Sequence, residues 1–246
     1  MDYILYNVLI GFVCFFIGYI FGSIPNGVLI GKIFFKRDPR LEGSKNSGGT
    51  NVGRLFGKKI GFLVIVLDML KSIIPTIGIV LILKYSGLEN TLINNFGEGY
   101  FDKGVLFSYL TPLGVSIGHC WPLFIKFKGG KTVAVFAGFC AITSWALIVV
   151  CIIAFFVTLK IKKYVSLASI VTACSVVVFS WALFGFNFII PEQYRNITMW
   201  GNGDLFINGY EFASALTLVA IILVYRHKAN IDRLVNHEEN KIKWMK

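Results

Sequence analysis

An all-α membrane protein, a polytopic transmembrane helical bundle of seven spans, is the fold class this sequence predicts, and three observations predict it. Of 246 residues, 56% are hydrophobic and only 15% charged, where a water-soluble domain carries about a quarter charged residues. The apolar residues gather into runs near the length that crosses a bilayer, roughly 20 residues at about 1.5 Å each for a ~30 Å core. The 24 lysines and arginines fall mostly between those runs.

The runs are Ile4–Phe21, Ile60–Leu83, Val105–Ile125, Thr132–Leu159, Val165–Ile190 and Glu211–Tyr225. Lys32, Lys36, Arg37, Arg40, Lys45, Arg54, Lys58 and Lys59 crowd the first connection against Asp38 and Glu42. Positive residues stay on the inner side, so this connection is cytoplasmic and the N-terminus outside. The stretch Lys84–Lys103, with Glu89, Glu98 and Asp102, reads as an outer loop, and Lys126, Lys128 and Lys131 bring the chain back inside. Lys160, Lys162 and Lys163 then place both ends of Thr132–Leu159 on the same side. Two short helices, Thr132 to Thr143 and Trp145 to Leu159, joined by a tight outer turn near Ser144, resolve this. The alternative is one long tilted helix that breaks the charge rule. An inner turn near Tyr164–Ser169 follows, then a polar outer loop, Pro191–Tyr210, with Glu192, Asn196, Asp204 and Asn208. The return to Arg226, His227 and Lys228 makes seven spans, with the C-terminus cytoplasmic. Residues 1–246 read as a single integral membrane domain, with no internal repeat and no separate soluble core.

The net charge of +11 is explained by cytoplasmic anchoring beside anionic lipid, so no nucleic acid partner is expected. Asp2 in place of a basic start, and the lack of a small-x-small cleavage site, argue that the first run is a span and not a cleaved signal. Five cysteines lie scattered in apolar segments with no ligand-spaced cluster. They read as small buried hydrophobes, with no metal expected.

Three polar segments carry the chemistry. In the first, Gly43, Gly48, Gly49 and Gly53 alternate with Ser44, Asn46, Thr50, Asn51 and Arg54. Glycines let amides converge, short polar side chains add donors, and arginine adds a permanent planar charge, a composition suited to phosphate. A flexible turn is the plain alternative. In the second, Lys126, Lys128, Gly129, Gly130 and Lys131 precede a helix start at Thr132. Gly-Lys-Thr suggests a P-loop, but Ile125 stands where the earlier glycine belongs, and no nucleotide domain surrounds it, so an NTPase is excluded. Phosphate held at a helix N-terminus, or a turn with interfacial lysines, both fit. In the third, His227 and Asn230 share a helix face that Arg233 continues. His227 and Asp232 would point ~140° apart on a helix, so their acyltransferase-like spacing reads as coincidence. Asp68 and Lys71, three apart inside the second span, need each other or the bundle interior, because a lone charge there costs about 2.5–3.5 kcal/mol.

Together these segments resemble the bacterial acyl-phosphate:glycerol-3-phosphate acyltransferase family, the PlsY-type membrane acyltransferases. The likeness runs through Gly22-Ser23-Ile24-Pro25, Asp38 to Gly57, His119 to Ala134, the Asp68–Lys71 pair, Tyr164 to Ser169, and His227 to Lys241. The chain departs from the family pattern at Lys45, Thr132, Ala168 and His237, where glycine is usual, and at Gly49, where alanine is usual. The outer loops are longer than the family's compact pattern. The resemblance implies acyl transfer from acyl phosphate to glycerol 3-phosphate, without cofactor, at the cytoplasmic face of the cell membrane. It implies Ser44, Arg54, His227 and Asn230 as catalytic residues. Asn46, Thr50, Asn51, Lys128, Gly129, Gly130, Lys131 and Ser166 would bind substrate phosphate, and Asp68, Lys71, Arg233 and Glu239 would support the site. An upstream acyl-phosphate-forming enzyme is the candidate protein partner. Either His227 or a substrate phosphate oxygen takes the proton from the attacking hydroxyl. A covalent acyl-Ser44 lacks a visible histidine–carboxylate pair to activate it. The rival reading is a transporter for an organic phosphate, against which the missing inverted repeat counts.

Overall fold

The computed structural model describes residues 2–87, 108–200, 205–206 and 209–242. The expected outer stretch Lys84–Lys103 lies outside the described residues from 88 onward, including Glu89, Glu98 and Asp102, as do residues 105–107 of the run Val105–Ile125, Asp204 and Asn208. Among the described residues there are ten α-helices and no β-strand. Two compact units divide the chain, Met1–Phe139 and Cys140–Lys246.

In the first unit, α1 (Asp2–Gly22) breaks at Ser23–Pro25 and resumes as α2 (Asn26–Phe35). The break follows from Pro25, which lacks an N–H and disfavours helix in the residue before it. α5 (Leu110–Cys120) packs along α1. Gly18 and Gly22 on α1 lie against the backbone of Thr111 and Val115 on α5, Gly114 and Gly118 on α5 against that of Phe15 and Tyr19, and a Cβ at any of the four would overlap the facing helix. Two i,i+4 glycine pairs thus bring two apolar helices into backbone contact, where dispersion replaces the hydrophobic effect that lipid does not supply. The spacing is visible in the sequence as Gly-x-x-x-Gly twice, a signal the charge-based reading did not use.

The first polar connection is not the loop expected throughout. Its second part folds as α3 (Gly49–Phe56), which meets α4 (Lys58–Tyr85) through the single residue Gly57 at φ 104°. Only glycine adopts that backbone cheaply. α3 is amphipathic: Val52 packs into a cluster with Ile30 and Val64, while Arg54 faces out. The residues hidden from the sequence reading were those of a short helix whose apolar face is only two turns long.

In the second unit the run predicted to divide does divide. α6 (Val133–Thr143), which begins in the first unit, ends and α7 (Trp145–Lys162) begins around Ser144, whose extended backbone and Oγ, accepting from the Leu147 amide at 3.3 Å, make an N-cap. Residues 197–200 lie across this break. Ser144 donates to the Thr198 carbonyl at 2.7 Å, the Trp145 indole to Ile197, and the Trp200 indole to Ala141. α7 turns at Lys163 and Tyr164 into α8 (Val165–Phe186), so Ser166 and Ser169 sit in the first turns of a helix rather than in the expected inner turn. α9 (Tyr210–Arg226) and α10 (Lys228–Val235) meet at His227 with a 57° bend.

Among the described residues, four helical stretches are long and apolar enough to cross a membrane: Val8–Phe35, Lys58–Tyr85, Trp145–Lys162 and Val165–Phe186. The bent pair α9–α10 makes a fifth. Of the seven expected spans, the third and fourth correspond to the shorter Leu110–Ile125 and Val133–Thr143. The eleven residues of Val133–Thr143 reach only about 16 Å, half the hydrocarbon thickness.

Gly114→Val is expected to destabilise the detergent-solubilised protein by about 1–3 kcal/mol through overpacking against α1. Thermal unfolding compared with Gly78→Val, whose Cβ position is open space, checks it.

Candidate functional site

In the first unit, one asparagine organises the glycine-rich segment. Asn51 is 1% exposed. Its Oδ1 accepts the Ser44 amide at 2.9 Å, and its Nδ2 faces the carbonyls of Pro39, Glu42 and Asn46 at 2.7, 3.1 and 2.9 Å. Both ends of the amide are therefore engaged within the loop, which gives Asn51 a shaping role in place of the expected phosphate contact. Asn46 Oδ1 is likewise turned inward, on the Gly48 amide at 3.1 Å. Ser44, Thr50 and Arg54 are exposed, and the Arg54 guanidinium has no hydrogen bond or ion pair among the described residues.

Arg40 ties this segment to the second one. Its guanidinium is held by Asp38 at 2.7 Å and donates to the carbonyls of Ile125 at 3.1 Å and Lys128 at 3.4 Å. The Arg40 hydrogen bond holds the Asp38 carboxyl below its ordinary range, against the opposing effect of partial burial. The Lys128 side chain points into solvent without a partner among the described residues, and Lys131 is half-buried.

Gly129 and Gly130 call for a correction. Their amides, expected to receive phosphate, already donate to the carbonyls of Cys120 at 3.2 Å and His119 at 2.9 Å. The glycines are there for space: a Cβ on Gly130 would overlap the His119 imidazole, and one on Gly129 would overlap the His119 carbonyl.

Beneath these segments lies a buried polar cluster. Asp68 Oδ1 accepts from Lys71 Nζ at 3.1 Å and Asn26 Nδ2 at 3.0 Å, with His119 Nδ1 at 3.9 Å. Lys71 also donates to the carbonyls of Gly22 and Ile24, 3.1 Å each, where α1 breaks. The cluster walls a small open cleft that Ser47 and Gly129 also line. Asp68 and Lys71 pair as expected. Asn26, Arg40, Ser47 and His119 were given no role from sequence. A histidine and an asparagine at the ends of apolar runs were the available signal.

In the second unit, Glu239 gathers the third segment. Its Oε1 accepts from Ser166 Oγ at 3.1 Å and Asn230 Nδ2 at 2.9 Å, and its Oε2 from Arg233 Nε at 2.8 Å. Because an ionised carboxylate only accepts, it fixes which end of the Asn230 amide faces it. Burial pushes the Glu239 carboxyl up, but the hydrogen bonds from Asn230 and Arg233 and the Arg233 charge bring it below its ordinary value. His227 is buried at the α9–α10 bend, with Nδ1 2.8 Å from the Leu223 carbonyl. A carbonyl can only accept, so Nδ1 carries the hydrogen in this contact. Asp232 is exposed while His227 is buried, as their angular separation predicts. Among the described residues no three His, Cys, Asp or Glu side chains gather to hold a metal ion.

Three departures from the resembled pattern share one backbone property. Lys45, Thr132 and His237, all at usual glycine positions, have φ of 54°, 59° and 59°. Lys126 and Phe127 are left-handed as well, at 57° and 58°. Each non-glycine residue there costs about 1–2 kcal/mol, so the loop shapes are imposed by their surroundings.

Lys45→Gly and His237→Gly are each expected to stabilise the protein by about 0.5–1 kcal/mol, the relief of strain exceeding the added unfolded-state entropy. Thermal unfolding measures it. Glu239, lowered from its ordinary 4.5, contributes stability above that value and loses it as pH falls through the lower folded value. The unfolding midpoint should therefore hold from neutrality to roughly pH 5 and fall below it, with Glu239→Gln flattening the fall.

The family described as Glycerol-3-phosphate acyltransferase matches residues 12–237. Two Staphylococcus aureus proteins of that description, from strains JH9 and Newman, are 37% and 38% identical over 230 residues, 93% of this chain and 96% of theirs. Crystal structures of PlsY, an integral membrane glycerol 3-phosphate acyltransferase, in its glycerol 3-phosphate and lysphosphatidic acid forms, align with TM-scores of 0.69 and 0.67. Both are 28% identical and cover 95% of this chain, with 96% and 95% of their own chains matched. A match extending over nearly every helix and through all three polar segments makes this chain a member of the glycerol-3-phosphate acyltransferase family, a multi-pass membrane acyltransferase.

Proposed function

We propose that this enzyme transfers a fatty acyl group from acyl phosphate to the sn-1 hydroxyl of glycerol 3-phosphate, giving 1-acyl-glycerol 3-phosphate and inorganic phosphate, the first acylation of phospholipid synthesis. The observation that carries the reading is the Arg40 tie, which joins two basic segments more than eighty residues apart while Arg54 and Lys128 keep exposed cationic side chains without a partner among the described residues. Unpaired cations on a shaped loop suit anionic head groups. The acceptor follows the names of the relatives and of the solved structures; the donor follows the family resemblance of the three segments.

In this reading residues 1–246 act as one catalytic domain of seven spans, N-terminus outside, with the basic segments on the cytoplasmic face of the cell membrane. Ser44, Thr50, Arg54, Lys128 and Lys131 hold the two phosphates, the 126–131 segment taking the acyl phosphate. Ser166, with Arg233 and Glu239 behind it, supports the acceptor side. Asn230 and His227 orient the glycerol hydroxyls. The sn-1 oxygen attacks the acyl carbon, the bond from that carbon to the phosphate oxygen breaks, and phosphate leaves with its electron pair. The hydroxyl proton passes to His227 Nε2 or to a phosphate oxygen. Acyl phosphate is already activated, so orientation supplies much of the rate, about 7–11 kcal/mol, and fixed positive charge on the leaving group adds to it. Direct transfer is favoured because Ser44 Oγ has no histidine or carboxylate partner among the described residues.

Phosphate release and acylated product, measured with detergent-solubilised protein, acyl phosphate and glycerol 3-phosphate, test this. Arg54→Ala should lower kcat/KM by about 100-fold or more. Product formed only from another acyl donor would overturn the choice of donor, and none from either the choice of reaction. His227→Gln with near-normal kcat and raised KM assigns the proton to phosphate; a kcat loss of about 100-fold assigns it to His227.

A further inference from the structure

The segment 126–132 holds three left-handed residues that are not glycine, Lys126, Phe127 and Thr132, so its shape depends on what grips it from outside. Two grips are visible. One is Arg40 on the carbonyls of Ile125 and Lys128. The other is His119, whose carbonyl accepts the Gly130 amide and whose ring lies so close to Gly130 that no Cβ fits between them. The imidazole is thus trapped between two neighbours. Its Nε2 side abuts the Gly130 backbone, and its Nδ1 side stands 3.9 Å from Asp68 Oδ1.

Asp68 is itself fixed in place. Asn26 from α2 and Lys71 from its own helix donate to it, and Lys71 is anchored on the carbonyls of Gly22 and Ile24. A continuous set of contacts therefore runs from the α1–α2 break, through Asp68 and His119, to the backbone that carries Lys128 and Lys131. All of its members lie within the first unit.

We propose that Asp68 is a positioning residue for acyl transfer: it orients the His119 ring, which sets the backbone at Gly129–Lys131 and so the cations that hold the acyl phosphate. The proposal rests on the function assigned above for its substrate, and on the structure alone for the mechanical link. Asp68 touches no substrate in this scheme. Its loss should affect one substrate and spare the other, whereas a general packing defect would affect both.

The test uses the full chain in detergent. Asp68→Asn keeps the size and the hydrogen-bond acceptor but removes the charge facing His119. KM for acyl phosphate should rise about tenfold, with kcat and KM for glycerol 3-phosphate changed less than about twofold. Trypsin cleavage after Lys126 and Lys128, followed by mass spectrometry, should quicken about fivefold as the loop loosens. Gly130→Ala disturbs the same contact from the loop side, and serves if Asp68→Asn does not fold. It should reproduce the pattern, and the double variant should be no worse than the poorer single one. Both KM values rising together, or additive effects, overturns the link. If the native protein transfers no acyl group, the functional reading fails, and the trypsin rates decide the link by themselves: faster cleavage in Asp68→Asn supports it, equal rates overturn it.

Discussion

An ion pair three residues apart inside a long apolar helix dictates much of the first unit. Asp68 is 3% exposed and Lys71 6%. Neither charge can remain in a low-dielectric interior on the strength of the other alone, because the lysine has three hydrogens and the carboxylate two oxygens to satisfy. The break between α1 and α2 meets the lysine's need. Pro25 ends the helix, the Gly22 and Ile24 carbonyls lack the amide four residues on, and the ammonium donates to both. The proline, the broken helix and the buried lysine thus form one arrangement, in which each would be unfavourable without the others.

The second unit solves a similar problem with an acceptor at its centre. Glu239 lies outside the long helices, yet it receives a serine from α8 and an asparagine and an arginine from α10. The tail beyond it is fastened as well: the Ile242 amide donates to the Lys163 carbonyl at 2.8 Å, Ile242 packs with Leu159 and Ala168, and the Lys241 ammonium lies over the Tyr164 ring. The bend at His227 is held by this gathering rather than by a helix-breaking residue of its own.

Much of this was legible in the sequence, and the reasons differ by feature. Long apolar helices follow from composition over many residues, a signal that survives local noise. The division at Ser144 was legible because charge at both ends of one run left a parity conflict that only a break removes. The Asp68–Lys71 pair was legible because a charge in a membrane must find a partner. α3 was not, since eight residues with glycines at Gly49 and Gly53 read as a turn until α4 supplies a surface for Val52. The engaged amides of Gly129 and Gly130 were invisible for another reason. Glycine in a basic segment looks the same whether it makes room for an anion or for a histidine, and the partner, ten residues back in sequence, becomes apparent only in three dimensions.

The geometry around Glu239 has a bearing on biogenesis. Ser166 and its carboxylate partner are 73 residues apart, so α8 enters the membrane long before the group that will engage its serine has been synthesised. Until then the serine, the bend at His227 and the turn at Lys163 lack the contacts that fix them, and the unit must be held by helix packing alone. The contacts that close this half of the enzyme around Glu239 can therefore form only after the chain beyond α10 has been made.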